Sequence, residues 1–183
     1  MKNQLWTKTI LDGYMYINRI IPTIDKQVMA LSLTSYNVQE GGGDATFRLM
    51  EDVIELIERK RKLLRLKLAV EESLRGISKD YASVLVRRYI DKISLKEIAK
   101  EKEKTYGVMR RIYNEALSAC YSKLCELGYN TSELQKQYGD ENWLVGIYSQ
   151  KLAKSASAKS TPEKISTKVC QKSNSSFPLC FSI

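Results

Sequence analysis

The 183 residues include no histidine. The commonest general base and the commonest metal ligand are therefore missing, and enzymes built on either are set aside. Cysteine is scarce: Cys120, Cys125, Cys170 and Cys180 form no C-x-x-C pair. No metal site is expected, and Cys120 and Cys125 read as buried thiols. Only three prolines and nine glycines occur, three of the glycines together at Gly41, Gly42 and Gly43. Long stretches run without breakers, which favours helix. No apolar run approaches the roughly 18 residues of a membrane span. Met1 to Gly13 lacks the apolar core and small-residue cleavage site of a secretory signal, so a cytoplasmic location is predicted.

What is present is a globular composition, 43% hydrophobic and 28% charged, with a formal charge of +9. Cationic proteins commonly meet nucleic acid or anionic membrane. The excess is unevenly spread. Residues 151–183 hold six lysines and one glutamate, so about half of the net charge belongs to the C-terminal tail. This Lys/Ser-rich stretch also contains Pro162 and Pro178. It cannot bury enough apolar surface to offset chain entropy and is expected to be disordered.

Apolar residues fall at Ile10, Tyr14, Ile17, Ile21, Ile24, Val28 and Leu31. Steps alternating between four and three make a heptad seam, as in a coiled coil. Pro22 lies off the seam and is expected to kink or restart the helix. A loop over 34–44 should follow, then a second helix from Ala45 to Leu74. That helix carries two adjoining stripes. One is Leu49, Val53, Leu56, Leu63, Val70 and Leu74; the other is Met50, Ile54, Ile57, Leu64 and Leu68. Residues 1–76 thus read as an antiparallel helical hairpin. One helix can cover only one of these stripes, so burial against the following domain or a homodimer through the second row is expected. The basic run Arg59, Lys60, Arg61 and Lys62 reads as a solvated face.

Gly76 should end the second helix. Ser78 or Asp80 opens a third, with Ala82, Leu85, Val86, Tyr89 and Ile93 on one face. After a turn at Asp91 and Lys92, Ser94 and Glu97 have the spacing of a capping box. This starts a fourth helix, short, with Leu95, Ile98 and Ala99 inward. Thr105 caps a fifth, whose inward positions are Met109, Ile112, Ala116, Ala119 or Cys120, Leu124 and Leu127, and Gly128 stops it. Residues 129–150, with Trp143, Leu144 and Ile147, read as a short docked helical segment.

Three consecutive helices with a brief middle one and tight turns have the outline of a helix-turn-helix, here 77–128. In that motif the last helix enters the major groove of DNA. A wheel places Gly107, Arg110, Arg111 and Asn114 on its outer face, flanked by Tyr106 and the capping Thr105. Arginine can pair with guanine, and asparagine with adenine, through two hydrogen bonds. Ser94 and Lys96 are placed to touch phosphate. The acid pairs Glu51/Asp52 and Glu71/Glu72 diverge around their helix, a poor geometry for a shared metal. No enzyme and no cofactor is expected.

The run Ser94-Leu-Lys-Glu-Ile-Ala-Lys-Glu-Lys-Glu-Lys-Thr-Tyr-Gly-Val-Met-Arg-Arg-Ile-Tyr-Asn-Glu-Ala-Leu117 resembles the fourth conserved region of bacterial sigma factors. The lead-in Val86-Arg-Arg-Tyr-Ile-Asp-Lys-Ile-Ser94 is similar to that of the same domains. Residues 10–128 as a whole resemble small phage and prophage proteins in which a coiled helical hairpin precedes a sigma-like helix-turn-helix. The resemblance implies an all-α transcription regulator that reads double-stranded DNA through helix 105–127. An alternative is a module that binds RNA polymerase or a sigma factor without reading DNA. Two departures stand out. Lys102, Glu103 and Lys104 occupy a turn where the family usually has glycine flanked by apolar residues. Gly107 replaces a glutamate that many sigma factors use for base contact.

Overall fold

A computed structural model describes residues 2–37 and 43–157, and these are all-helical. The helices are α1 (Lys2–Asn37), α2 (Gly43–Arg75), α3 (Lys79–Tyr89), α4 (Leu95–Glu101), α5 (Tyr106–Glu126), α6 (Thr131–Tyr138) and α7 (Asn142–Ser157). No helix among the described residues is long and apolar enough to cross a membrane.

α1 and α2 form the expected antiparallel hairpin. Tyr14 donates to Glu71 (2.8 Å) near one end, and Lys60 pairs with Asp25 nearer the other. Seam residues Ile10, Ile17 and Ile24 are buried against Leu63, Leu66 and Val70. α1 does not restart at Pro22. The ring removes one backbone bond, but Ile17 and Ile24, buried on either side of it, hold the helix on α2 and offset the loss. Of the loop expected over 34–44, residues 34–37 and 43–44 are helical. α1 runs on to Asn37 and α2 opens at Gly43, so the segment left for it, 38–42, lies outside the described residues.

α1 also reaches back to Lys2, because α7 lies across its first turns. Trp6 stacks on Tyr148 with ring centroids 4.7 Å apart, and Gly13 lies under Trp143 and Leu144 with too little room for a Cβ. The segment after Gly128 therefore comprises two helices rather than one short one. The second runs through Leu152 to Ser157, past the expected start of the tail at 151. Packing of Leu144, Trp143 and Tyr148 on α1 supplies the apolar burial that the tail's composition lacks. The remainder of the predicted tail, 158–183, lies outside the described residues.

One buried cluster joins all but α4: Ile10 and Ile17 with Leu66, Leu85, Leu117, Leu134 and Leu144. It runs across the expected boundaries at 76 and 128. A second, smaller cluster of Val84, Ile98, Ala99 and Met109 holds α3, α4 and the start of α5 together. α3 serves both clusters from adjacent faces. Hence Val84, rather than the expected Val86, is among its buried residues.

The basic run on α2 is a solvated face only in part: Arg61 stays exposed, while the other three cations reach carboxylates outside α2. Arg59 makes two bonds to Glu141 (3.0 and 2.9 Å), Lys62 pairs with Asp140 (2.8 Å), Lys60 with Asp25 and Arg61 with Glu58 (3.0 Å). All four cations meet carboxylates of the chain itself: Asp25 on α1, Asp140 and Glu141 in the turn between α6 and α7, and Glu58 on α2.

Candidate nucleic-acid interface

The fourth and fifth helices begin where the local sequence places them. Ser94 Oγ accepts the amide of Glu97 (3.3 Å), and the Glu97 carboxylate accepts the amide of Ser94 (2.9 Å), closing a capping box. The Ser94 amide, and after it the Ser94 hydroxyl, hold the Glu97 carboxyl below its ordinary range. Its capping contribution is accordingly present at neutral pH and lost as pH falls through that lowered value. Thr105 Oγ1 accepts the amide of Val108 (3.4 Å) at the head of α5. On the inner side of α5, Tyr113 shares a hydroxyl–hydroxyl bond of 2.7 Å with Tyr89 of α3, and burial raises the pKa of both phenols.

The turn between α4 and α5 contains no glycine, yet it closes in the manner of a helix-terminating glycine motif. Glu103 takes the left-handed conformation, φ 51°. The Glu103 amide bonds to the Lys100 carbonyl (3.1 Å), and the Lys104 amide to that of Ala99 (2.9 Å). The same pair of bonds recurs after α5 around Gly128, φ +86°. A Cβ in this conformation crowds the following carbonyl oxygen, a strain glycine lacks. Glu103→Gly is therefore expected to raise stability by about 0.5–1 kcal/mol, since glycine's larger unfolded-state entropy cancels part of the relief. Urea unfolding measures it. A destabilised variant would show that the Glu103 side chain matters more than its backbone strain.

On the outer face of α5, Gly107, Arg110, Arg111 and Asn114 line one shallow, open depression, bordered by Gln4, Glu115 and Ser118. A Cβ on Gly107 would meet nothing within 4 Å, so the helix backbone itself is accessible there. Arg110 and Asn114 are exposed, and Arg110 makes no ion pair among the described residues. Arg111 is also exposed, but its Nε donates to Glu115 (2.9 Å). The other Glu115 oxygen accepts the Tyr81 hydroxyl (3.1 Å). Both bonds hold the Glu115 carboxyl below its ordinary range. Any ligand of Arg111 must first compete with Glu115. This restraint was legible as an i, i+4 arginine–glutamate pair; Gln4, brought in from the first turns of α1, was not.

The other candidate residues lie outside the depression. Ser94 and Thr105 are engaged as caps, Tyr106 is exposed at the first turn of α5, and Lys96 is exposed on α4. The amides of Ser94 and Glu97 are already satisfied by the capping box, which leaves less of the α4 terminus for phosphate than the bare motif suggests. Among the described residues, no group of three Cys, Asp or Glu side chains comes together to hold a metal ion. Compared with protein-family models, curated proteins and solved structures, the chain matches none of them.

Proposed function

We propose that the protein binds double-stranded DNA sequence-specifically through the outer face of α5 and regulates transcription. The observation that carries this reading is the grouping of Arg110, Asn114 and the bare Gly107 backbone on one open face. That face lies on the first turns of a helix buttressed from behind by α3 and α4. Arginine and asparagine one turn apart on a helix are the side chains best fitted to read guanine and adenine edges in the major groove. Open space over Gly107 suits close approach of a base or a phosphate. The sigma-like run from Ser94 to Leu117 points to the same helix.

Selection of bound duplexes from a random pool by the full chain tests the reading. A consensus should emerge, and Arg110→Ala should weaken binding to it by about 1–3 kcal/mol. The same variant should lose little on random DNA, and its circular dichroism should be unchanged. Equal loss on both would assign Arg110 to phosphate. Arg111→Ala should cost less, because Glu115 already engages that guanidinium. No consensus and no duplex binding would overturn the proposal.

A second reading is that α5 contacts RNA polymerase or a sigma factor without reading DNA. It is favoured by Tyr106 and Val108, about half exposed at the first turn of α5. Binding to polymerase that survives Arg110→Ala but fails in Val108→Asp would support it.

A further inference from the structure

The second apolar stripe of α2 stays uncovered. Met50, Ile54, Ile57 and Leu68 are 43 to 60% exposed, while the neighbouring stripe is packed against α1. With Arg61 and Leu64 included, the row runs in steps of four, three, four, three and four along the helix.

That order of steps reads the same in both directions. A second copy laid antiparallel would set Met50 against Leu68, Ile54 against Leu64 and Ile57 against Arg61, with the two-fold axis at Arg59. Such a contact is isologous, each copy offering the same patch. The charges on α2 agree with this direction. Glu51, Asp52, Glu55 and Glu58 precede the row's centre, whereas Arg61, Arg65 and Lys67 lie beyond it; Arg59, Lys60 and Lys62 turn to Glu141, Asp25 and Asp140 of their own chain. Parallel pairing would set acid on acid and base on base; antiparallel pairing sets each acidic half beside a basic one. Glu51 and Arg65 flank the row on the same side, and neither has an ion-pair partner among the described residues. At the axis, each Arg61 already holds its own Glu58, so the two central pairs bring equal charge of both signs.

We infer that the protein forms an antiparallel homodimer through the outer row of α2, with Glu51 of each copy paired to Arg65 of the other. The seam is about 27 Å long at 1.5 Å per residue. It places the α2 C-termini, and the α3–α5 units that follow them, at opposite ends of the dimer.

Sedimentation equilibrium of the full chain at tens of micromolar should return the dimer mass. Ile57→Asp should yield monomers with an unchanged circular dichroism spectrum, since Ile57 is exposed in the single chain. Glu51→Arg and Arg65→Glu should each raise the dimer dissociation constant about tenfold, and the double exchange should return it close to the native value. The charge variants lie on the surface and test the register even if Ile57→Asp misfolds. A monomer mass for the native chain overturns the inference, as does a dimer that survives Ile57→Asp folded and intact. Single charge variants that change nothing overturn the antiparallel register.

Discussion

Arg59→Ala is expected to lower stability by about 3 kcal/mol, a large fraction of what holds a domain of this size together. Glu141 is 4% exposed and accepts two bonds from Arg59 and one from the Trp143 indole (2.7 Å). Removing the guanidinium leaves a buried carboxylate with a single donor. Breaking one side of a fully buried pair costs about 3–5 kcal/mol. Arg59 is itself 41% exposed, so water can enter the space it vacates, which places the loss at the lower end. The effect should concentrate where Glu141 sits, at the junction of α6 and α7, whose amides should exchange faster. Arg59→Ala combined with Glu141→Gln should recover part of the loss, because a neutral amide is cheaper to leave short of partners than a carboxylate. Urea unfolding of the native chain, the two single variants and the double variant gives the coupling. If the double variant loses as much as the two singles together, the pair is not coupled.

The difference between the expected and observed role of Arg59 shows where local pattern runs out. Caps and periodicities are properties of a few neighbouring residues, and they were legible. Ser94 with Glu97, Thr105, Ser78 and the stop at Gly128 all stand where their side chains or backbone freedom put them. The hairpin followed from the heptad seam, the stripes of the second helix and the glycine-centred break between them. A cluster of four cations looks like a solvated face until its partners are known, and Asp140 and Glu141 lie some 80 residues further on. The same distance hid the start of α1. Trp6, Thr7 and Thr9 are buried only because α5 and α7 return over them. Glu103 is a different case. The strain of a left-handed glutamate is local, but the two backbone bonds that outweigh it depend on how α4 and α5 are held apart. At the candidate interface the outer face of α5 was readable from a wheel. The restraint of Arg111 by Glu115 was equally readable, whereas the further bond from Tyr81 needed the packing of α3 on α5.

Met109→Ala should be the other large effect, and its consequences should be local. Met109 is fully buried at the centre of the small cluster with Val84, Ile98 and Ala99. Truncating a buried methionine to alanine costs about 2–5 kcal/mol, through lost apolar burial and the cavity left behind. Among the described residues, this is the only buried cluster that includes α4 residues, and α4 has seven residues, too few to persist unsupported. Its amides should therefore lose exchange protection well before those of α1 and α2, which belong to the main core. The first turns of α5 lean on the same cluster, so Gly107, Arg110 and Asn114 would no longer be held at a fixed angle to the rest of the chain. If that face reads DNA, Met109→Ala should reduce specific binding at a temperature where the hairpin is still folded. Leu134→Ala provides the comparison: it opens a cavity of similar cost in the main core, in α6, away from α5's outer face. Equal stability losses with unequal losses of binding would show that the small cluster acts by positioning α5. If both variants weaken binding alike, the effect is global unfolding, and the small cluster has no separate role.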